Sequence, residues 1–512
     1  MRKLILLLCL LSLPAWATNA LTNNAQAYVM TTGSDSNAGW FDASVGSPGT
    51  NEALNAAGTS YTDIIVGATT TQATSVLHPF TSTTHGPGNS LWITSGTGCT
   101  TGIYVMNSQS GGTATFSASL GTAASVCTGV LGGGLLTICG TYSSGCQTGA
   151  YHWAQSNVNY LTVINVKQGT YQIGTVTIQN INGANLTILP SEIFGYTTTP
   201  GDWGTTRPVI TTTGTVPVVQ FKGDGQPFFN NYLFNVVLQT TSVTYGNCLV
   251  YHYQTGVDGL QAVNVKFDHS AGGTSAAGIC VRNSNGGLEV LINGCEFSMG
   301  SNDVGYEDQG NNNSGVTAIP SVITHSWFHG GAYGIWDENV AGNQWWIVDH
   351  SAFSSNGYGV YQQNGSGFAA SVTYSDFYDN TTANVQLNNN ALYWLEDVGN
   401  IMYGGTYGFN TGGGIGPGFQ YGASNAFGGV TTDYYGPIPS SHWGNADVAL
   451  GSCQPFNAPS SGDFSLSSCG KTALSAAGFP GVTPFGTGYA AVGALQPQAA
   501  AATAPTPHPF VQ

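Results

Sequence analysis

The chain has 512 residues, only 6% of them charged, with 24 acidic against 8 basic side chains and a formal net charge of −16. A surface so acidic and so poor in cations repels phosphate backbones, which excludes nucleic acid as a partner. It also repels anionic polysaccharides unless a divalent cation mediates, while 41% hydrophobic and 11% aromatic content excludes a wholly disordered chain.

The first residues predict export. Arg2 and Lys3 precede an apolar run from Leu4 to Leu13, and Ala15-Trp16-Ala17 supplies small residues where a signal peptidase cuts. Residues 1–17 therefore read as a signal peptide, and the protein as secreted and extracellular. No later run reaches the roughly 18 apolar residues of a membrane helix, so no membrane span is expected. Cys9 leaves with the leader, and nine of the ten cysteines remain. Cys99 with Cys127, Cys139 with Cys146, and Cys453 with Cys469 are expected local pairs. Cys248, Cys280 and Cys295 would then share one bridge and leave one thiol. Their spacing fits no zinc site, so they read as structural.

Residues 18–154 are rich in Thr, Ser and Gly, with short strand-like runs, and read as an N-terminal β cap or small β-domain. From 155 to 430 an internal repeat takes over. Written one beneath another, LINGCEFSMGSNDVGYEDQ (291–309), SVITHSWFHGGAYGIWDEN (321–339), WIVDHSAFSSNGYGVYQQN (346–364) and ASVTYSDFYDNTTANVQLNN (370–389) put Phe297, Phe328, Phe353 and Phe377 in one column. A second column reads Val304, Ile335, Val360 and Val385, and a looser copy carries Phe267 and Ile279. Successive Phe are 31, 25 and 24 residues apart. Short strands and polar turns at this period define a solenoid whose Phe and Val/Ile columns stack inside. Leucine-rich repeats share the period but need Leu columns that are absent. A third column, Asn283, Asp308, Asn339, Asn364 and Asn389, predicts an amide ladder at the end of the second strand. The expected fold is all-β: a single-stranded right-handed parallel β-helix with an N-terminal β cap. Residues 431–496 close it, and the Ala/Pro-rich 497–512 reads as a flexible tail.

Several segments carry a family resemblance. VINVKQGTYQIGTVTIQNINGANLTILP (163–190) resembles the opening coils of pectate-lyase-like proteins. SEIFGYTTTPGDWGTTRPVI (191–210), AYVMTTGSDSNAGWF (27–41) and SGDFSLSSCGKTALSAAGFPGVTPFGTGYAAVGALQ (461–496) are similar to segments of secreted bacterial and phage-associated β-helix proteins. In the closing segment Thr472-Ala473 replaces the usual Ser-Pro, and Ala476 stands where the family often has Asp. The resemblance implies the pectin-lyase-like solenoid and an extracellular glycan context. It does not imply one activity, because the fold hosts lyases, hydrolases, esterases and adhesins. The Arg-x-Pro-x-x-Arg segment of the lyases is missing, since Arg207-Pro208 has no second Arg, and the polygalacturonase motifs are missing too.

Chemistry is sought in outward columns, because equivalent positions on neighbouring coils lie side by side. Arg282, Glu307, Glu338, Gln363 and Asn388 align in sequence, with Asp308 and Asp337 adjacent. Beside them run Cys280, Gly305, Trp336, Tyr361 and Gln386. Trp336, Tyr361 and Gln363 are the expected substrate-binding residues, and Glu307, Asp337 and Glu338 the candidate catalytic acids. Carboxylates on adjacent coils would stand roughly 5 Å apart, the retaining-glycosidase separation, and their repulsion would raise one pKa. Asp303 and Asp308 with the same acids are a candidate Ca²⁺ site. A plainer reading pairs Arg282 with Glu307 and leaves Glu338 a solvated acid. Trp346-Ile347-Val348-Asp349-His350 resembles a pectate-lyase strand with Val348 inserted. His325 aligns with His350, while Asp349 and His350, as strand neighbours, are expected on opposite faces. Two functions follow: a protein that binds and perhaps cleaves a polysaccharide or cell-surface glycan, or a non-catalytic surface, matrix or adhesion protein using the rod as a rigid scaffold.

Overall fold

The computed structural model describes residues 26–29, 60–80, 90–116, 118–131, 151–153, 162–172, 176–180, 191–198, 202–204, 206–212, 217–222, 229–242, 247–252, 258–271, 278–284, 289–308, 321–338, 344–363, 368–387, 392–411, 419–436, 447–477 and 479. The expected signal peptide, the Cys139–Cys146 pair and the Ala/Pro-rich tail lie outside the described residues.

Three parallel sheets of eleven strands each form the body, with sequence-consecutive strands falling to different sheets in rotation. This is a parallel β-solenoid. Its first sheet begins with Gln26–Val29, which pairs in parallel with Thr162–Lys167. Between these two strands the chain builds a separate closed six-stranded barrel from strands lying between Ser60 and Leu131. The barrel has its own core around Tyr61, Phe80, Leu91, Ile93, Met106 and Phe116, and the Cys99–Cys127 disulfide ties its edge.

Inside the solenoid the second sheet stacks Phe267, Phe297, Phe328, Phe353 and Phe377 in register. Their ring centroids are 4.8, 4.1, 5.1 and 4.9 Å apart, and every one of these side chains is buried. Each buried ring contributes about 1.5–3 kcal/mol by leaving water. Ile193, Leu233, Ala262, Ile292, Ile323, Val348 and Val372 do the same for the first sheet.

The expected second column needs correction. Ile279 pairs with Val304 as expected, but Val304 then pairs with Tyr333; it is Tyr306 that pairs with Ile335, which pairs with Val360 and then Val385. The turn after the Phe column varies in length, so letters beyond it slide out of alignment. Of the expected amide ladder, Asn283 pairs with Asp308, while Asn339, Asn364 and Asn389 lie outside the described residues; Asp308 itself pairs with Asp337, which pairs with Gln362 and then Leu387.

Polar ladders run instead along the turns. Between the first and second sheets each coil from Phe229–Phe234 onward turns on one left-handed residue: Asn235, Asn264, Gly294, His325, His350, Tyr374, Gly399 and Ser424, with φ between 45° and 70°. The residue after each is buried. In the later coils these form a chain of bonds in which Ser326 N–H donates to Ser351 Oγ (3.3 Å), Ser351 N–H to Ser375 Oγ (3.2 Å), Ser375 N–H to Asn400 Oδ1 (3.0 Å) and Asn400 N–H to Asn425 Oδ1 (3.0 Å). A second ladder, Asn356 over Asn380, holds the next turn at 3.1 Å. Without these side chains the tight turns would bury unpaired N–H groups.

Ser468–Ala476 is a helix, and with Phe456, Phe464, Leu466 and Phe479 it buries Leu474 against Ala352, Ile401, Ala426, Val448 and Leu450. It thus packs along the outer face of the second sheet. Cys453 and Cys469 are bridged, whereas Cys248, Cys280 and Cys295 are buried thiols sharing no bridge.

Candidate functional site

The third sheet carries a recurring five-residue strand: Val304–Asp308 (VGYED), Tyr333–Asp337 (YGIWD) and Tyr358–Gln362 (YGVYQ). Its burial does not alternate. In the last two the first and fourth side chains are half-exposed, and the second, third and fifth are buried. Glycine makes this possible. A Cβ on Gly334 would meet Gly359 O at 2.5 Å and the Phe353 ring at 2.8 Å, and one on Gly305 would meet Phe328 at 2.8 Å. The strand therefore presses its second residue onto the Phe column and turns two aromatics, three positions apart, to the outside.

The result is a four-ring cluster. Tyr333 stacks on Trp336 (5.2 Å between centroids, 18° between planes) and on Tyr358 (5.1 Å, 5°), while Tyr361 leans against Tyr333 at 5.1 Å and Tyr358 at 4.8 Å. Partial burial first, then the neighbouring Tyr361 and Tyr358, raise the Tyr333 pKa, so this phenol stays a neutral hydroxyl at physiological pH. Two coils further along, Tyr407 leans on Tyr435 at 5.1 Å, and Tyr435 is 50% exposed. Between the aromatic groups Asn410 Nδ2 donates to Gln386 Oε1 at 3.2 Å. The outward column is therefore Arg282, Glu307, Trp336, Tyr361, Gln386 and Asn410.

The expected aromatic residues Trp336 and Tyr361 are brought together as register neighbours, with Gln363 one residue past the strand end, its N–H donating to Asp337 O at 3.0 Å. The acids are not. Glu307 lies opposite Trp336, so it does not share a row with Glu338. Its carboxylate is 2% exposed and bonds Arg282 Nε at 2.9 Å. Asp337 is buried at the inward fifth position, opposite Asp308. Glu338 remains half-buried at the strand end, its N–H donating to Asp308 O. The separation of about 5 Å between outward carboxylates expected of a retaining hydrolase is thus not built from Glu307 and Glu338.

Nor do Asp303 and Asp308 converge as a cation site. Asp303 is fully buried; its Oδ2 accepts from Gly300 N–H (2.7 Å) and binds His269 Nδ1 (2.7 Å), and its Oδ1 accepts from Gly278 N–H (2.9 Å). His269 Nε2 donates to Ser242 O at 2.7 Å. Burial alone would lower the His269 pKa, but the Asp303 carboxylate and the Ser242 carbonyl outweigh it and raise the value. The pair clamps three turns together. Among the described residues no group of three or more His, Cys, Asp or Glu side chains is arranged to hold a metal.

One cluster escaped the sequence reading and a second was misread there. On the outer face of the second sheet Glu296 accepts from Lys266 Nζ (2.8 Å), lies 3.3 Å from His329 Nε2 and 3.9 Å from Arg207, and Trp327 stacks on His329 at 3.8 Å. Burial would raise the Glu296 pKa, yet His329 and Lys266 bring it down to about 2. Lys266, Glu296 and Trp327 are register neighbours, each one residue before the Phe column, so the alignment of that column was the signal that could have found this group. The second is Asp349 with His350. Expected on opposite faces, they bond at 2.7 Å, because His350 occupies the left-handed turn (φ 45°) that breaks strand alternation. His325 stacks on His350 as expected, at 5.3 Å.

No protein family, curated protein or solved structure matches the chain. What the coordinates define is a class, the parallel β-solenoid, with an aromatic face on its third sheet. No helix among the described residues is long and apolar enough to cross a membrane.

Proposed function

We propose that this is an extracellular protein that binds an extended polysaccharide lengthwise on the outer face of its third sheet. The observation that carries the reading is the Tyr333, Trp336, Tyr358 and Tyr361 cluster. Aromatic faces stack on the C–H faces of sugar rings while phenol, indole and amide groups meet the hydroxyls. Tyr407 lies two coils beyond Tyr358, about 10 Å along the rod, a length comparable to one disaccharide of an extended glycan. Right-handed winding, kinship with pectate-lyase-like proteins and export belong to the same proposal, and the two disulfides are compatible with an oxidising compartment.

Binding rather than cleavage is favoured by the acids. Glu307 is engaged by Arg282 and Asp337 points inward, which leaves Glu338 without a second outward carboxylate among the three. The net charge favours a neutral glycan. The test is a panel of neutral and acidic polysaccharides in affinity electrophoresis, with reducing ends assayed in parallel. Trp336→Ala and Tyr361→Ala should each weaken retention on a neutral glycan at least tenfold with the fold intact by circular dichroism. Retention unchanged in both variants would overturn the binding face; release of reducing ends, abolished in Glu338→Gln, would overturn the non-catalytic reading.

A further inference from the structure

The column of left-handed turn residues places two imidazoles side by side on the edge between the first and second sheets, remote in the coil from the aromatic strands of the third. His325 (φ 49°) and His350 (φ 45°) share one backbone conformation, and their rings stack 5.3 Å apart with 13° between planes. Each ring has its Nδ1 engaged by the residue before it: Thr324 Oγ1 at 2.8 Å for His325 and Asp349 Oδ2 at 2.7 Å for His350. Asp349 is fixed in turn by Thr373 Oγ1, which donates to its Oδ1 at 2.7 Å. His325 is exposed and the His350 side chain is 38% exposed. This is the arrangement in which metal-binding histidines are held: one nitrogen anchored by a carboxylate or hydroxyl that fixes tautomer and orientation, and the other presented outward as ligand.

We propose that His325 and His350 form a two-imidazole site for a borderline divalent transition metal, Cu²⁺ in preference to Zn²⁺, through their Nε2 atoms. Imidazole suits these ions, and the Irving–Williams order places Cu²⁺ first. With no third His, Cys, Asp or Glu converging among the described residues, water completes the coordination shell. Bonds of about 2.0–2.1 Å to each nitrogen require the rings, stacked 5.3 Å apart, to tilt toward each other at their Nε2 edges while each Nδ1 keeps its anchor. Asp349 is a positioning residue here, acting through the His350 ring.

The experiment is calorimetric titration of the full-length protein with CuCl₂ and with ZnCl₂ at pH 7.4, repeated on His325→Asn and His350→Asn. Asn tolerates the left-handed turn, so these variants keep the backbone, and circular dichroism checks it. Wild type should bind one Cu²⁺ that each variant loses by at least tenfold in affinity, with Zn²⁺ weaker on the same residues. Asp349→Asn should lose about 10–100-fold, as supporting groups of metal ligands do. Electron paramagnetic resonance of the Cu²⁺ form should show coupling to two imidazole nitrogens. A Cu²⁺ isotherm identical in wild type and both histidine variants, or a spectrum with a single imidazole, would overturn the proposal.

Discussion

Asp376 sits where a carboxyl group is most costly. It is 0% exposed, in register between Ala352 and Ile401, on the sheet face that the C-terminal segment covers with Phe456, Phe464, Leu466 and Leu474. Neither carboxyl oxygen has a hydrogen-bond partner among the described residues. Burial alone drives its pKa well above the usual 3.8, so the folded protein holds it protonated. An unpartnered neutral polar group costs about 1–3 kcal/mol to bury. The proton adds a second cost, because at pH 6 the unfolded chain would release it. The group's folded pKa is raised, so stability is highest below pH 3.8 and falls as pH rises towards the folded value. The slope in that window is about 1.4 kcal/mol per pH unit. Asp376→Val removes both terms, and the β-branched side chain suits a strand. Urea unfolding of wild type and variant at pH 5 and pH 6 measures the difference. The variant should be the more stable at both, and its advantage should grow between them, by up to about 1.4 kcal/mol. Asp397, Asp433 and His269 also titrate abnormally but do so in both proteins, so they cancel in the difference. Equal advantages at the two pH values would refute the reasoning, since that outcome requires an Asp376 that ionises as it does in water.

The His269–Asp303 clamp carries its own signature. A histidine with a raised pKa stabilises the fold fully below its unfolded value near 6.5 and loses that contribution as pH rises through the folded value. Thermal unfolding of His269→Gln should be less pH-dependent than wild type between pH 6 and 9; equal dependence would show that the pair is not ionised. In the turn ladder, Asn400→Ala removes the acceptor for Ser375 N–H and the donor to Val372 O. It should cost about 2–4 kcal/mol, more than Ser351→Ala, which orphans the Ser326 N–H. Urea midpoints in the reverse order would contradict the ladder.

What the sequence revealed depended on which turn lay between aligned residues. From Ser326 to Phe328, Ser351 to Phe353 and Ser375 to Phe377 the spacing is constant, because a single left-handed residue makes the turn before each. The Phe column was therefore legible by eye. From the Phe column to the third-sheet strand the count changes: Phe297 to Val304 spans seven residues, but Phe328 to Tyr333 only five. That two-residue difference displaced Glu307 from Trp336 to Glu338 in the alignment and manufactured the acid pair. The left-handed turns were invisible for another reason. Non-glycine residues seldom adopt positive φ, and His, Tyr and Ser do so here because ladders on either side hold the backbone. The Asp349–His350 contact could not be read from strand alternation once that turn intervened. The helix at Ser468–Ala476 was hidden by a composition of Ser, Gly, Thr and Ala that favours no element strongly.

The aromatic face and the core are products of one local rule, which bears on why the face is found on this sheet. A regular strand gives alternate residues to each side, so a large aromatic every second position outward would leave one inward residue between. The Tyr-Gly-Ile-Trp and Tyr-Gly-Val-Tyr strands instead spend a glycine to lower the backbone onto the ring of the Phe column, and consecutive residues then face inward. The outward pair is spread to three positions apart, wide enough for two rings to lie flat beside each other, and the coil repeat stacks the next pair at 5.1 Å. Where Asn384 takes the glycine's place, the outward residues are Ala383 and Gln386 and the rings stop; at Gly408 the glycine returns, and with it Tyr407. The glycine permits the platform without dictating it: Gly305 presses on Phe328 in the same way, yet its strand carries Val304 and Glu307 at the outward positions, so the rings begin only at Tyr333 and break where Asn384 replaces the glycine.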